Sequence, residues 1–135
     1  MTGSVYLDTG IFIAFLNRRD RWHPHAVALF SGVRPHWRTS FLVLSEAYSW
    51  FLHKMGEEAA RSFRSLVENL PGLRIFDATA EHHESVVKLL NRFRGAKLTY
   101  VDASSLHLVE RHKIECVWST DHHLGLTGAE IFPRS

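Results

Sequence analysis

The chain of 135 residues is predicted to fold as a three-layer α/β/α structure around a mostly parallel sheet of four or five strands. Two patterns predict this. Short apolar runs of strand length alternate with helical stretches along the sequence, the arrangement of crossover units around a parallel sheet. Acidic residues also sit at the ends of the first and fourth of these runs, at the carboxyl edge where such sheets collect ligands.

The elements follow in order. Val5–Asp8 reads as a short buried strand, with Thr9-Gly10 as the turn after it. Ile11–Asn17 is helical and ends at Arg18-Arg19-Asp20. His23–Gly32 is a short helix with Pro24 in its first turn and Gly32 as its stop. Trp37–Thr39 is a candidate strand. Thr39 or Ser40 caps a long helix running to Met55, broken by Gly56. Phe41, Leu44, Tyr48, Phe51 and Met55 make its apolar stripe, with Glu46 off that stripe beside Leu42, Ser49, Trp50 and His53. The helix is apolar almost all round, which predicts cover on more than one side. Glu57–Leu70 is a further helix, stopped by Pro71-Gly72. Leu73–Phe76 is a strand, Ala78–Phe93 a helix ending near Gly95, Thr99–His112 another helix, Glu115–Ser119 a strand and Ala129–Phe132 a last short strand.

No repeat, low-complexity segment or linker interrupts the sequence, so one domain over 1–135 is expected. A hydrophobic content of 45% excludes general disorder. The single cysteine, Cys116, permits no internal disulfide. It reads as a small core residue of a protein in a reducing compartment. The apolar start lacks a basic leader and contains Asp8, which argues against a signal peptide. No run reaches the roughly 20 apolar residues of a membrane span. A cytoplasmic protein is expected. The net charge of +2 does not diagnose nucleic-acid binding. Its distribution says more: Arg18, Arg19 and Arg21 follow the first helical segment, and Arg92, Arg94 and Lys97 crowd the approach to Asp102. A solvated surface would explain both clusters; near a catalytic edge they could also contact phosphates.

Asp8, Glu46, Asp102 and Asp121 each interrupt or follow an apolar stretch. A lone buried carboxylate costs several kcal/mol unless it is paired, hydrogen-bonded or bound to a metal. A shared cation site would explain all of them. Asp8 ends the first strand, Asp121 follows the fourth by two residues, and Asp102 lies in the first turn of a helix, so these three share the carboxyl edge. Oxygen-only donors suit Mg²⁺, with Mn²⁺ as a substitute. Two such ions about 4 Å apart can activate water and stabilise the leaving oxygen in phosphodiester cleavage. Without metal, the cluster should repel itself and show raised carboxyl pKa values. Each acid also has a structural role open to it: a turn for Asp8, a polar spot on an exposed helix face for Glu46, a capping box with Thr99 for Asp102, and a cap before His122 for Asp121.

Four segments together resemble the PIN-domain family: Tyr6-Leu7-Asp8-Thr9-Gly10-Ile11-Phe12-Ile13-Ala14, Thr39-Ser40-Phe41-Leu42-Val43-Leu44-Ser45-Glu46-Ala47-Tyr48, Leu98-Thr99-Tyr100-Val101-Asp102-Ala103 and Val117-Trp118-Ser119-Thr120-Asp121-His122-His123-Leu124. They occur in the family's order and cover essentially the whole chain. The resemblance implies a PIN-like, Rossmann-like fold and a Mg²⁺-dependent endoribonuclease. In size the chain is similar to the toxins of VapBC-type toxin–antitoxin pairs, which implies an RNA substrate, an inhibitory antitoxin partner and a homodimer. By resemblance, Asp8 and Asp102 match the acids most directly tied to metal, Glu46 and Asp121 complete the quartet, and Thr9 and Ser119 match supporting hydroxyls. Arg18, Arg19, Arg92, Arg94 and Lys97 are candidates for RNA backbone contacts. Leu124 departs from the Phe frequent in the family, and His122-His123 is not required by it.

Other readings are less consistent with the sequence. Asp8-Thr9-Gly10 matches the triplet of aspartic proteases, but that fold is nearly all β and this chain is rich in helices. The histidine pairs include no His-Glu-x-x-His helical motif for zinc, and a metal-free histidine ribonuclease would stay active in EDTA. A PIN-like binding module or scaffold would have no need of the full acidic quartet. A housekeeping RNA-processing nuclease of the same family is the enzymatic alternative.

Overall fold

Asp8 passes directly from a strand into a helix, and that junction organises the molecule. The computed structural model describes residues 3–32 and 34–134. Met1, Thr2, Val33 and Ser135 of the expected 1–135 span lie outside the described residues. The first strand, β1, is Ser4–Leu7, and the helix α1 is Thr9–Leu16, with Asp8 between them in an extended conformation (φ −94°, ψ 168°). Thr9-Gly10 is therefore the first turn of a helix, a correction to the expected loop. Asp8 supplies the extended residue that precedes a helix, so no turn is needed.

Among the described residues, the remaining elements are α2 (His23–Ser31), β2 (His36–Ser40), α3 (Phe41–Met55), α4 (Glu57–Glu68), β3 (Arg74–Phe76), α5 (Ala80–Arg92), α6 (Tyr100–Arg111), β4 (Cys116–Trp118) and β5 (Glu130–Phe132), with a 3₁₀ turn at His122–Gly125. Local chemistry explains several boundaries. The Ser40 hydroxyl accepts from Val43 N–H and starts α3. Thr79 does the same for α5 through His82 N–H. Gly56 sits at φ +97° between α3 and α4, a conformation that L side chains rarely adopt. Thr99 and Asp102 form the expected capping box at the start of α6.

All five strands are parallel, in the order β3-β2-β1-β4-β5. The chain moves outward from β1 to β2 and β3, then crosses back to place β4 on the other side of β1. Right-handed crossovers put helices on opposite faces when direction reverses. Accordingly, α1 to α4 pack with one another and α5 packs with α6. The sheet is flanked by six helices, as the alternating pattern predicts.

The core joins the two faces through large side chains. Tyr6, Leu7, Ile11, Phe12, Phe51, Leu106 and Val117 are fully buried. Phe63 of α4 meets Phe12 edge-on at 5.1 Å and stacks on Phe51 at 5.4 Å. Helix α3 buries Val43, Ala47 and Phe51, while Phe41 and Met55 at its two ends are exposed. The expected stripe is thus corrected, with only Phe51 fully buried among its members. Cys116 is half-buried in β4, rather than a core residue. Among the described residues, no helix is long and apolar enough to cross a membrane.

Candidate active site

The reversal of strand order between β1 and β4 makes their carboxyl ends the switch point, where open α/β sheets usually hold ligands in a crevice. Leu7 lies opposite Trp118 in the ladder, so the next residues, Asp8 and Ser119, face one another across the crevice. Ser119 Oγ–H donates to Asp8 Oδ2 at 2.8 Å, and Asp8 N–H donates to the Trp118 carbonyl at 3.1 Å. Asp8 is only 4% exposed. Burial pushes its carboxyl up to about 7; the Ser119 hydrogen bond opposes the rise, and the charges of Asp102 and Glu46 add to it. The carboxyl is thus raised mainly by burial, with the expected repulsion between the acids a smaller contribution.

Asp102 comes from the first turn of α6 and Asp121 from the segment after β4. Asp102 is held by the capping box: its Oδ2 accepts Thr99 N–H at 3.1 Å, and Asp102 N–H donates to Thr99 Oγ1 at 3.0 Å. The cap that could have been its only role therefore also orients its carboxylate. Asp121 N–H donates to Ser119 Oγ at 2.9 Å, and Asp121 Oδ1 accepts His123 N–H at 2.9 Å. Ser119 thereby links the Asp8 carboxylate to the Asp121 backbone. The Asp102 side chain is 14% exposed and that of Asp121 39%, so only Asp8 is deeply buried.

Glu46 lies on an exposed part of α3, not in an apolar interior as its sequence setting suggests. The structure nevertheless connects it to the crevice: Thr9 Oγ1–H donates to Glu46 Oε1 at 2.5 Å. Thr9 is buried at the start of α1, next to Asp8, so the hydroxyl expected as a support bridges Glu46 to the junction.

Among the described residues, the group that offers metal-ligand atoms at close range is Asp102, Asp121 and His123, whose donor atoms all lie within 4.8 Å of one another; Asp8 and Glu46 of the expected quartet are not part of it. His123 is a residue that the sequence pattern alone does not single out. It stands in the 3₁₀ turn, with Nδ1 3.1 Å from Asp121 Oδ1 and 3.7 Å from Asp102 Oδ2. That Nδ1 is buried and makes no hydrogen bond of acceptable geometry. The Asp-x-His spacing was the available signal, but two adjacent histidines are unremarkable until the turn aims one of them inward. A donor set of two carboxylates and an imidazole nitrogen is chemically suited to a divalent cation, and Asp8 lies near enough for the Asp102 charge to act on it.

Layers beneath the crevice hold it in place. The Tyr6 hydroxyl is buried and donates to Ser40 Oγ at 3.1 Å; Ser105 Oγ is 2.8 Å from the same oxygen. Ser40 begins α3 and Ser105 lies one turn below Asp102, so one phenol ties the two helices that carry Glu46 and Asp102. Thr39 Oγ1–H donates to the Leu7 carbonyl at 2.9 Å, just below Asp8. Gly10 packs so closely on Thr120 that an added Cβ would overlap Thr120 Oγ1. Gly10→Ala is expected to destabilise by about 1–3 kcal/mol and to lower any activity of the site by displacing Thr120 between Ser119 and Asp121. Thermal melts should show partial rescue in Gly10→Ala/Thr120→Ala.

The basic residues are spread unevenly. Arg18 and Arg19 are exposed beyond the far end of α1, about 12 Å from Asp8 at 1.5 Å per helical residue. They line an open groove with Trp50, Lys54 and Met55 rather than the crevice. Arg92 pairs with Glu110 at 3.5 Å and lies over the Phe93 ring. Arg94 and Lys97 are exposed in the loop that enters α6. Nearer to Asp121, a groove is lined by Arg21, Trp22, Thr120, His122 and Arg134. Arg134 of this groove pairs with Glu130 at 3.0 Å and lies over the Phe132 ring.

Comparison with known proteins agrees with this architecture. The chain is similar to the crystal structure of VapC20 from Mycobacterium tuberculosis, a sarcin–ricin loop cleaving toxin, with 25% identity, TM-score 0.85, and coverage of 96% of this chain and 99% of the other. A toxin–antitoxin complex from Klebsiella pneumoniae shares the fold at 16% identity and TM-score 0.67, over 96% of each chain. FitAcB from Neisseria gonorrhoeae does so at 16% identity and TM-score 0.66, over 96% of each chain. No curated protein gives a significant match. The PIN domain family model matches residues 5–129, and the chain belongs to the PIN-domain family.

Proposed function

We propose that this protein is a divalent-cation-dependent endoribonuclease and the toxin half of a toxin–antitoxin pair. The observation that carries the reading is Asp8, buried at the β1–β4 switch point with its carboxyl pushed up to about 7. Such a group is held at a functional edge at a cost in stability, and a bound cation would remove that cost. The VapC20 likeness, spanning nearly the whole of both chains, supports RNA as substrate. The likeness to a toxin–antitoxin complex from Klebsiella pneumoniae supports an antitoxin partner. A homodimer is the further expectation of the resemblance.

In this reading Asp8, Asp102 and Asp121 hold Mg²⁺ or Mn²⁺, and Glu46 stands at the rim. The cation supplies acidity that makes water nucleophilic at neutral pH and neutralises charge on the leaving 3′ oxygen. Ser119 fixes one Asp8 oxygen and the Asp121 backbone together, so the two carboxylates keep their spacing as substrate enters. The Thr9 hydroxyl would steady the Glu46 carboxylate through its hydrogen bond. Arg21, Arg94 and Lys97 would contact the phosphates that flank the scissile one, with Trp22 available to stack on a base, and Arg134 would do so by exchanging its 3.0 Å pairing with Glu130 for a phosphate. Arg18 and Arg19 could reach only more distant phosphates.

Incubation of the purified protein with labelled single-stranded RNA tests this reading. Cleavage is expected with Mg²⁺ or Mn²⁺ and should disappear in EDTA, returning when the cation is restored. Undiminished cleavage in EDTA would instead support metal-free histidine chemistry. No cleavage of any RNA, together with no cation binding, would favour a binding module.

A further inference from the structure

We infer that His123 contributes its Nδ1 as a ligand to the proposed cation site, and that this nitrogen makes the site prefer Mn²⁺ over Mg²⁺. The inference rests on the cation-dependent reading above and goes beyond the acidic quartet. Among the described residues, His123 Nδ1 is the one buried side-chain nitrogen or oxygen without a hydrogen-bond partner. Buried polar atoms are nearly always satisfied, so an orphan of this kind points to a partner of another type, such as an ion.

The distances fit a shared ion. Nδ1 is 3.1 Å from Asp121 Oδ1 and 3.7 Å from Asp102 Oδ2. Adjacent ligands on an octahedral ion with bonds of about 2.1 Å stand about 3.0 Å apart. A proton on Nδ1 would find no acceptor: Asp102 Oδ2 at 3.7 Å is beyond hydrogen-bond reach, and Asp121 Oδ1, although 3.1 Å away, forms no hydrogen bond with it. The ring is also preset. His123 N–H is fastened to Asp121 Oδ1 at 2.9 Å, and the following residue, Leu124, is fully buried. No rearrangement of the 3₁₀ turn is required to present the nitrogen.

Ligand chemistry then sets the selectivity. Mg²⁺ favours oxygen donors and retains its waters, whereas imidazole nitrogen suits first-row transition cations. Mixed oxygen and nitrogen donors at Asp102, Asp121 and His123 therefore favour Mn²⁺ relative to Mg²⁺, compared with an all-carboxylate site.

Pulsed electron paramagnetic resonance of Mn²⁺ bound to the wild-type protein provides the test, alongside calorimetric titrations with Mn²⁺ and Mg²⁺. The wild type should show nitrogen hyperfine coupling from a directly ligating imidazole. His123→Gln should lose that coupling and weaken Mn²⁺ binding by roughly tenfold, with a smaller change for Mg²⁺. Bound Mn²⁺ with no directly coordinated nitrogen in the wild type would overturn the assignment of His123 and leave the carboxylate site intact. No Mn²⁺ binding by folded wild type would overturn both readings. The wild-type spectrum decides the matter even if the variant fails to fold.

Discussion

Asp8→Asn is expected to reduce RNA cleavage by about 10³-fold or more while making the cation-free protein more stable at pH 8. The opposite signs follow from the buried carboxyl. In the folded protein its pKa is about 7, against about 3.9 in an unfolded chain. Below pH 4 both states are protonated, and the carboxyl imposes no penalty. Between these values the folded state retains a proton that the unfolded state has released, so stability falls as pH rises, and the loss is complete above pH 7. Three pKa units correspond to about 4 kcal/mol, so a gain on the order of 2–4 kcal/mol is expected for an uncharged Asn at pH 8. Asn can still accept the Ser119 hydroxyl, which preserves the crevice. Denaturant titrations at pH 5 and pH 8 would check this: the difference between wild type and variant should grow with pH and shrink when Mg²⁺ is added to the wild type. A variant less stable than wild type at pH 8 would mean that Asp8 is a structural acid.

Asp102→Asn and Thr99→Ala should separate two roles that share one residue. Asp102 accepts Thr99 N–H as part of the capping box, and an Asn oxygen can do the same. Asp102→Asn is therefore expected to change stability by less than about 1 kcal/mol, yet reduce cleavage by about 10²–10³-fold. Thr99→Ala removes the hydroxyl cap of α6 and should cost about 1 kcal/mol, with only a few-fold loss of activity because the carboxylate remains. Melting curves and initial rates on the same preparations distinguish the cases. Equal losses of activity in both variants would mean that Asp102 acts through the helix terminus.

The parallel sheet was legible because strand and helix periods alternate cleanly, and because Ser40, Thr79 and Thr99 carry conventional caps. Asp8 was legible for a related reason: an acid at the end of an apolar strand is costly to bury unless a partner or an ion compensates its charge. The stripe of α3 was not legible. Nearly every face of that helix is apolar, so periodicity could not choose between Phe41 and Val43; the neighbouring sheet and α4 made the choice. Glu46 carries no local signal, since its connection to the crevice runs through Thr9 on another helix. His123 was missed because its orientation depends on a 3₁₀ turn that four residues of sequence do not announce. The basic residues show how chain proximity differs from spatial proximity, as Arg18 and Arg19 lie close to Asp8 along the chain but a helix length away in space.

The central claim is that the carboxylates gathered at the β1–β4 crevice bind a divalent cation as a unit. Calorimetric titration of Mg²⁺ into wild type, Asp8→Asn, Asp102→Asn and Asp121→Asn at pH 8 tests it most directly. The account predicts saturable binding by the wild type and affinity reduced by at least about tenfold in each folded variant. A folded wild type that gives no binding signal, or variants that bind as well as it does, would contradict the claim.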